Sequence, residues 1–136
     1  MPDNKAVLRD MYAAWATGDV DATIERFVAE DFVEHEAIPG MDNTREAPRQ
    51  IFTMMRAAFP DLGISVHDMI AEGDKVVARI TFTGTHSGVF LGVPATGNRV
   101  AMDGIDIMEF RDGKAVAHWG VTDMAGMMAQ MGAGPG

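Results

Sequence analysis

Cysteine is absent from the 136 residues, which excludes disulfides, thiolate nucleophiles and cysteine metal ligands together. Positive charge is scarce as well: 11 Lys and Arg against 20 Asp and Glu leave a net charge of −9. A nucleic-acid binder draws affinity from phosphate neutralisation and shows a basic stripe. None is visible here; Arg45, Arg49 and Arg56 are spread along one stretch and read as the solvated face of a helix. An acidic surface also disfavours anionic membranes, and no apolar run approaches the ~20 residues of a membrane span. The first ten residues are charged and lack the apolar centre of a signal peptide, so a cytoplasmic location is expected. The patterns GxSxG, GxGxxG, HExxH and the P-loop are missing. His35, His67, His86 and His118 lie far apart, with no pair at helical spacing. No metal and no cofactor are therefore expected.

What is present is apolar: 47% of the chain, including 12 methionines, which adapt to irregular or greasy ligands. With the acidic charge, this favours a hydrophobic small molecule as partner. The length suits one domain, read as residues 1–132 with a disordered tail over 133–136. Residues 4–17 have helical spacing in Val7, Leu8, Met11, Tyr12 and Trp15. A shorter helix follows with Ile24, Phe27 and Val28 inward, and a third runs from Thr44 to Phe59, stopped by Pro60. "EDFVEHEA" between them reads as a brief extended piece. Strands follow near 62–72, 75–85, 98–111 and 114–123, with "EGD" and "RDG" short enough for hairpins. A last amphipathic turn covers 124–131. Helices first and antiparallel strands afterwards make an α+β domain. The strand 98–111 carries apolar residues on both faces, which points to a homodimer or homotetramer packed through the sheet.

Acid–base residues are the remaining chemistry. Asp123 ends an apolar strand and shares a face with Trp119 and Val121. If that face is internal, burial raises its pKa and makes it a general base; otherwise it caps the following helix. Alternation places His118 on the opposite face, unless a bulge at Gly120 brings both inward. His35, between Glu34 and Glu36, points to a pocket mouth or to solvent. His86 reads as structural and His67 as an ordinary strand residue. Asp103 and Asp106 face opposite ways, so at most one lines any cavity.

The segments "GTHSGVFLGVPATG" and "DGKAVAHW", with "AFPDL" before them, resemble the SnoaL-like polyketide cyclases of the nuclear transport factor 2 superfamily. The resemblance spans about residues 5–132. It implies a cone-shaped fold of the nuclear transport factor 2-like, or cystatin-like, kind, with N-terminal helices on a strongly bent antiparallel sheet. It also implies a cofactor-independent intramolecular aldol condensation of a hydrophobic, aromatic polyketide-type substrate. By motif, Asp123 matches the family's proposed acid–base aspartate, His118 and His35 match two of its histidines, and Trp15 matches an aromatic pocket position; Asp123, His118 and His35 are the candidate catalytic residues. Trp15, Phe52, Met55, Ile107 and Trp119 are expected to wall the pocket. The alternatives are another pocket chemistry (isomerase, dehydratase or hydrolase) or a binding module without catalysis.

Overall fold

In the computed structural model, which describes residues 3–36 and 40–132, Asp3 and Asp19 each open a helix. Their carboxylates accept from the amides of Lys5 at 3.0 Å and Ala22 at 2.8 Å, satisfying donors that no carbonyl can reach. The helices are α1 (Asn4–Thr17) and α2 (Val20–Phe27). They are followed by β1 (Val28–Glu34), α3 (Glu46–Ala58), β2 (Gly63–Glu72), β3 (Lys75–Thr85), β4 (Arg99–Arg111), β5 (Lys114–Thr122) and α4 (Met124–Gln130). The expected tail, 133–136, lies outside the described residues. Among the described residues no helix is long and apolar enough to cross a membrane.

The strands form one sheet in the order β1-β5-β4-β3-β2. The four later strands pair antiparallel, as expected. The extended piece before residue 40 is a fifth strand, and β1 pairs parallel with β5, so the sheet is mixed at that edge. Its short length left only the extended conformation visible in sequence. Asp112 and Gly113 both take positive φ, 52° and 79°; this is the tight turn that suits a two-residue hairpin, and it fixes the β4–β5 register.

Arg49 of α3 pairs with exposed Asp21 and Glu46 at the surface, but Arg45, just before α3, and Arg56 are not part of a solvated face. Arg45 donates to the carbonyls of Ile24 and Val28 at the end of α2. Arg56 donates to Trp15 and Gly18 at the end of α1. Cations at helix C-termini satisfy orphan carbonyls and meet the negative end of the dipole, so these contacts dock α3 onto both helices.

Two apolar clusters result. One joins Leu8, Met11 and Trp15 of α1 with Ile80 of β3 and Met108 of β4. The other joins Met55 of α3 and Phe59, just after it, with Met102 of β4 and Met127 of α4. Phe52 and Phe82 pack against both, and the cavity opens between the clusters. On the other face of the sheet Ile105 is 50% and Val121 76% exposed.

Candidate active site

The register of two strands decides which side chains reach the cavity. In β4 the even-numbered residues from Val100 to Phe110 are buried and the odd-numbered ones are more exposed. Cross-strand partners share a face. Met108 pairs with His118, Asp106 with Gly120 and Gly104 with Thr122, so His118, Gly120 and Thr122 face inward. On the far side of β5, Phe32 and Glu34 of β1 and the following Glu36 also line the cavity, whose volume is about 310 Å³. Its walls are mainly apolar, with Trp15 and Phe52 stacked at 4.2 Å between ring centroids. The polar groups gather at one end: Tyr12, Glu34, Glu36, Asp106, His118 and Thr122.

Most of them form one chain of bonds. Glu34 Oε2 lies 2.5 Å from His118 Nδ1, and Asp106 Oδ1 lies 2.8 Å from His118 Nε2. Tyr12 donates its hydroxyl to the other Asp106 oxygen at 2.6 Å. A carboxylate can only accept, so both ring nitrogens carry protons and His118 is an imidazolium. Burial alone would lower the His118 pKa, but the bonds and charges of Asp106 and Glu34 outweigh it and push it from 6.5 up to about 10. Burial raises the Tyr12 hydroxyl far above the usual phenol range, and Asp106 reinforces the shift; Tyr12 is a neutral hydrogen-bonding group at every physiological pH.

Glu36 is the remaining carboxylate. Thr122 donates to it at 3.3 Å, and it is half-buried. Burial raises its pKa; the positive charge of His118 works against this, and the negative charges of Asp106 and Glu34 add to it. The result is a carboxylate of increased basicity at the edge of an apolar cavity, which is what a general base needs. Sequence reasoning alone does not single out Glu34, Glu36, Tyr12 or Asp106 as site residues. The available signal was an aspartate in the apolar row Met102, Gly104, Asp106, Met108, Phe110.

Asp123 stands elsewhere. It is exposed, at the N-cap of α4, and accepts from the Gly126 amide at 2.9 Å. The helix-cap alternative therefore describes its position, and it does not line the cavity. The alternation was right and the choice of inward face was not: Trp119 and Val121 attract attention as apolar residues, but the register turns them outward. Ile107 pairs with Trp119, and neither lines the cavity. His35 is exposed and stacks on Trp119 with ring centroids 4.5 Å apart; its neighbours Glu34 and Glu36 point inward, one residue away on each side. His118 reaches the cavity without a bulge at Gly120. Trp15, Phe52 and Met55 line the cavity.

Glu36, Asp106 and His118 each present a donor atom within 4.8 Å of the others, a grouping that could hold a metal ion. Both nitrogens of His118 are engaged by carboxylates, so coordination would require it to give up one of those bonds and a proton.

The sequence profile described as SnoaL-like polyketide cyclase matches residues 5–131. The chain is 28% identical over 129 residues to the aklanonic acid methyl ester cyclase DnrD of Streptomyces peucetius, covering 93% of this chain and 88% of the relative. It is 27% identical over 124 residues to the nogalonic acid methyl ester cyclase of Streptomyces nogalater, covering 90% and 92%. Among solved structures it is similar to IdmH, a candidate polyketide cyclase from Streptomyces antibioticus, with a TM-score of 0.82, 33% identity, and 96% and 99% coverage. It is also similar to AclR, a candidate hydroxylase from Streptomyces galilaeus, with a TM-score of 0.86, 34% identity, and 98% and 83% coverage.

Proposed function

The chain belongs to the SnoaL-like polyketide cyclase family, and we propose that it closes a ring in an aromatic polyketide-type ester by intramolecular aldol condensation, with Glu36 as general base. The observation that carries this is the position of Glu36: a carboxylate of raised pKa beside a buried imidazolium, at the polar end of an apolar cavity. The methyl ester substrates in the names of two relatives support the substrate class.

In the proposed reaction, the Glu36 carboxylate removes a proton from the carbon between two carbonyl groups, and the C–H electrons pass into the enolate. That carbon bonds to a second carbonyl carbon of the same molecule. The C=O π electrons move to oxygen, and the new alkoxide takes the proton back from Glu36. Nothing is added or lost, so product and substrate have the same mass. The His118 imidazolium offsets the negative charges of Glu34 and Asp106 and keeps Glu36 ionised. Trp15, Phe52 and Met55 hold the flat substrate folded, so that the reacting carbons stay close. Glu34 and Asp106 hold the His118 ring in its orientation, and Tyr12 holds Asp106.

The unit proposed to do this is residues 1–132, working in the cytoplasm as a homodimer or homotetramer. Incubation with an aromatic polyketide methyl ester tests the assignment. A product of unchanged mass and new retention time, carrying a new ring by NMR, is the expected result. Full conversion by Glu36→Gln would move the base to another group, and no conversion of any member of an ester panel by the folded wild type would overturn the assignment.

A further inference from the structure

We propose that Gly120 is a positioning residue: its missing side chain leaves the space in which the Glu36 carboxylate meets the His118 ring. This deepens the assignment of Glu36 as base and rests on it. A Cβ built at Gly120 would lie 2.5 Å from Glu36 Oε1 and 2.9 Å from two atoms of the His118 ring. Real Cβ atoms do not come so close, so these groups must shift; the His118 ring is held at both nitrogens, and the end of the Glu36 side chain is the part free to move away. The backbone does not call for glycine here: Gly120 is in mid-strand, paired with Asp106, and it is not among the described residues that take positive φ. Glycine within a strand lacks a side chain to pack and weakens the strand. At this position the compensation is room for a carboxylate arriving from the end of β1.

The groups facing Glu36 are Glu34 beside it in the chain, Asp106 of β4, and His118 and Thr122 of β5. A methyl group at position 120 separates Glu36 from this set and moves it toward water. Two consequences follow. Glu36 loses the burial that raises its pKa, and the enzyme loses a base without losing a wall of the apolar cavity. Turnover should therefore fall while substrate affinity changes little.

The experiment compares wild type, Gly120→Ala, Glu36→Asp and the double variant Gly120→Ala/Glu36→Asp. The Glu36 carboxyl is titrated by carbon NMR in the ligand-free protein. In Gly120→Ala its midpoint is expected to move down toward the ordinary glutamate range, and kcat to fall by about ten-fold or more with KM nearly unchanged. Glu36→Asp shortens the side chain and withdraws the carboxylate from the added methyl. It is expected to lower kcat in the wild-type background and to recover part of the loss in Gly120→Ala, a sign reversal that shows coupling. Thermal melts give a readout independent of catalysis: Gly120→Ala should cost less stability when Glu36 is already Asp. A Glu36 titration in Gly120→Ala that superimposes on wild type, or equal losses of stability in both backgrounds, would overturn the role of Gly120. If those shifts occur while Glu36→Gln keeps full turnover, the role of Gly120 in placing Glu36 stands and the assignment of Glu36 as base fails.

Discussion

Glu36 and Asp123 make opposite demands on the same kind of side chain. Asp123→Asn keeps a good N-cap, and residue 123 does not line the cavity, so turnover should stay within a few-fold of wild type. Asp123→Ala should cost about 1 kcal/mol of stability, read by denaturant unfolding, and again spare activity. His118 carries a different cost. Glu34 and Asp106 are 7% and 6% exposed, and His118→Ala leaves both carboxylates buried without their cation. A loss of about 3 kcal/mol or more is expected, together with a higher Glu36 pKa, since the charge of His118 opposes the rise. The pH dependence has a defined sign. Because the folded His118 pKa is raised from 6.5 to about 10, its contribution to stability is complete below pH 6.5 and is lost as pH rises through about 10. The proposed mechanism requires Glu36 ionised and His118 protonated. The kcat/KM profile should therefore have an acid limb above the ordinary glutamate pKa and an alkaline limb near 10. A profile flat across the acid side would exclude Glu36 as base.

Elements were legible where one periodicity ran long enough. Helices with clear stripes, such as Leu8, Met11, Tyr12 and Trp15, and strands separated by Asp112-Gly113 follow from local chemistry, and their bounds agree within two residues. What local pattern does not contain is register. In β5 the alternation of His118, Gly120 and Thr122 against Trp119, Val121 and Asp123 is plain, but the inward set is decided by pairing with Met108 and Gly104, ten or more residues away. Hydrophobicity suggested the Trp119 face. The cavity instead takes the polar set, because a site needs polar groups inside, and a buried polar cluster looks like a solvent face in sequence. The same one-residue shift separates His35, which stacks on Trp119, from Glu34 and Glu36. The roles of Arg45 and Arg56 are hidden in sequence for a related reason: the helix ends they bind belong to other segments. Trp119 gives a prediction at this level. Trp119→Ala removes a ring that His35 stacks on and that lies under Lys75, with Nζ 4.9 Å from its centroid. It should weaken the β1 edge and lower the melting temperature while leaving KM for a cavity ligand nearly unchanged.

For the molecule as a whole, the sheet has one face closed by helices around the cavity and one face with exposed Ile105 and Val121. An apolar sheet face of this kind favours self-association. Sedimentation of the wild type at micromolar concentration is expected to show a dimer or tetramer, and Val121→Lys to shift it toward monomer; a wild type that is strictly monomeric would refute the assembly. The proposed catalysis belongs to the whole molecule too, since the proposed base at the end of β1 sits beside groups from α1, β4 and β5. Its most direct test separates proton removal from ring closure. A substrate analogue that keeps the acidic carbon but lacks the electrophilic carbonyl is incubated in D₂O, and deuterium uptake at that carbon is followed by NMR. Wild type and Asp123→Asn should exchange at similar rates, and Glu36→Gln at least about 10²-fold more slowly. Exchange by Glu36→Gln at the wild-type rate, or its loss in Asp123→Asn, would contradict the assignment.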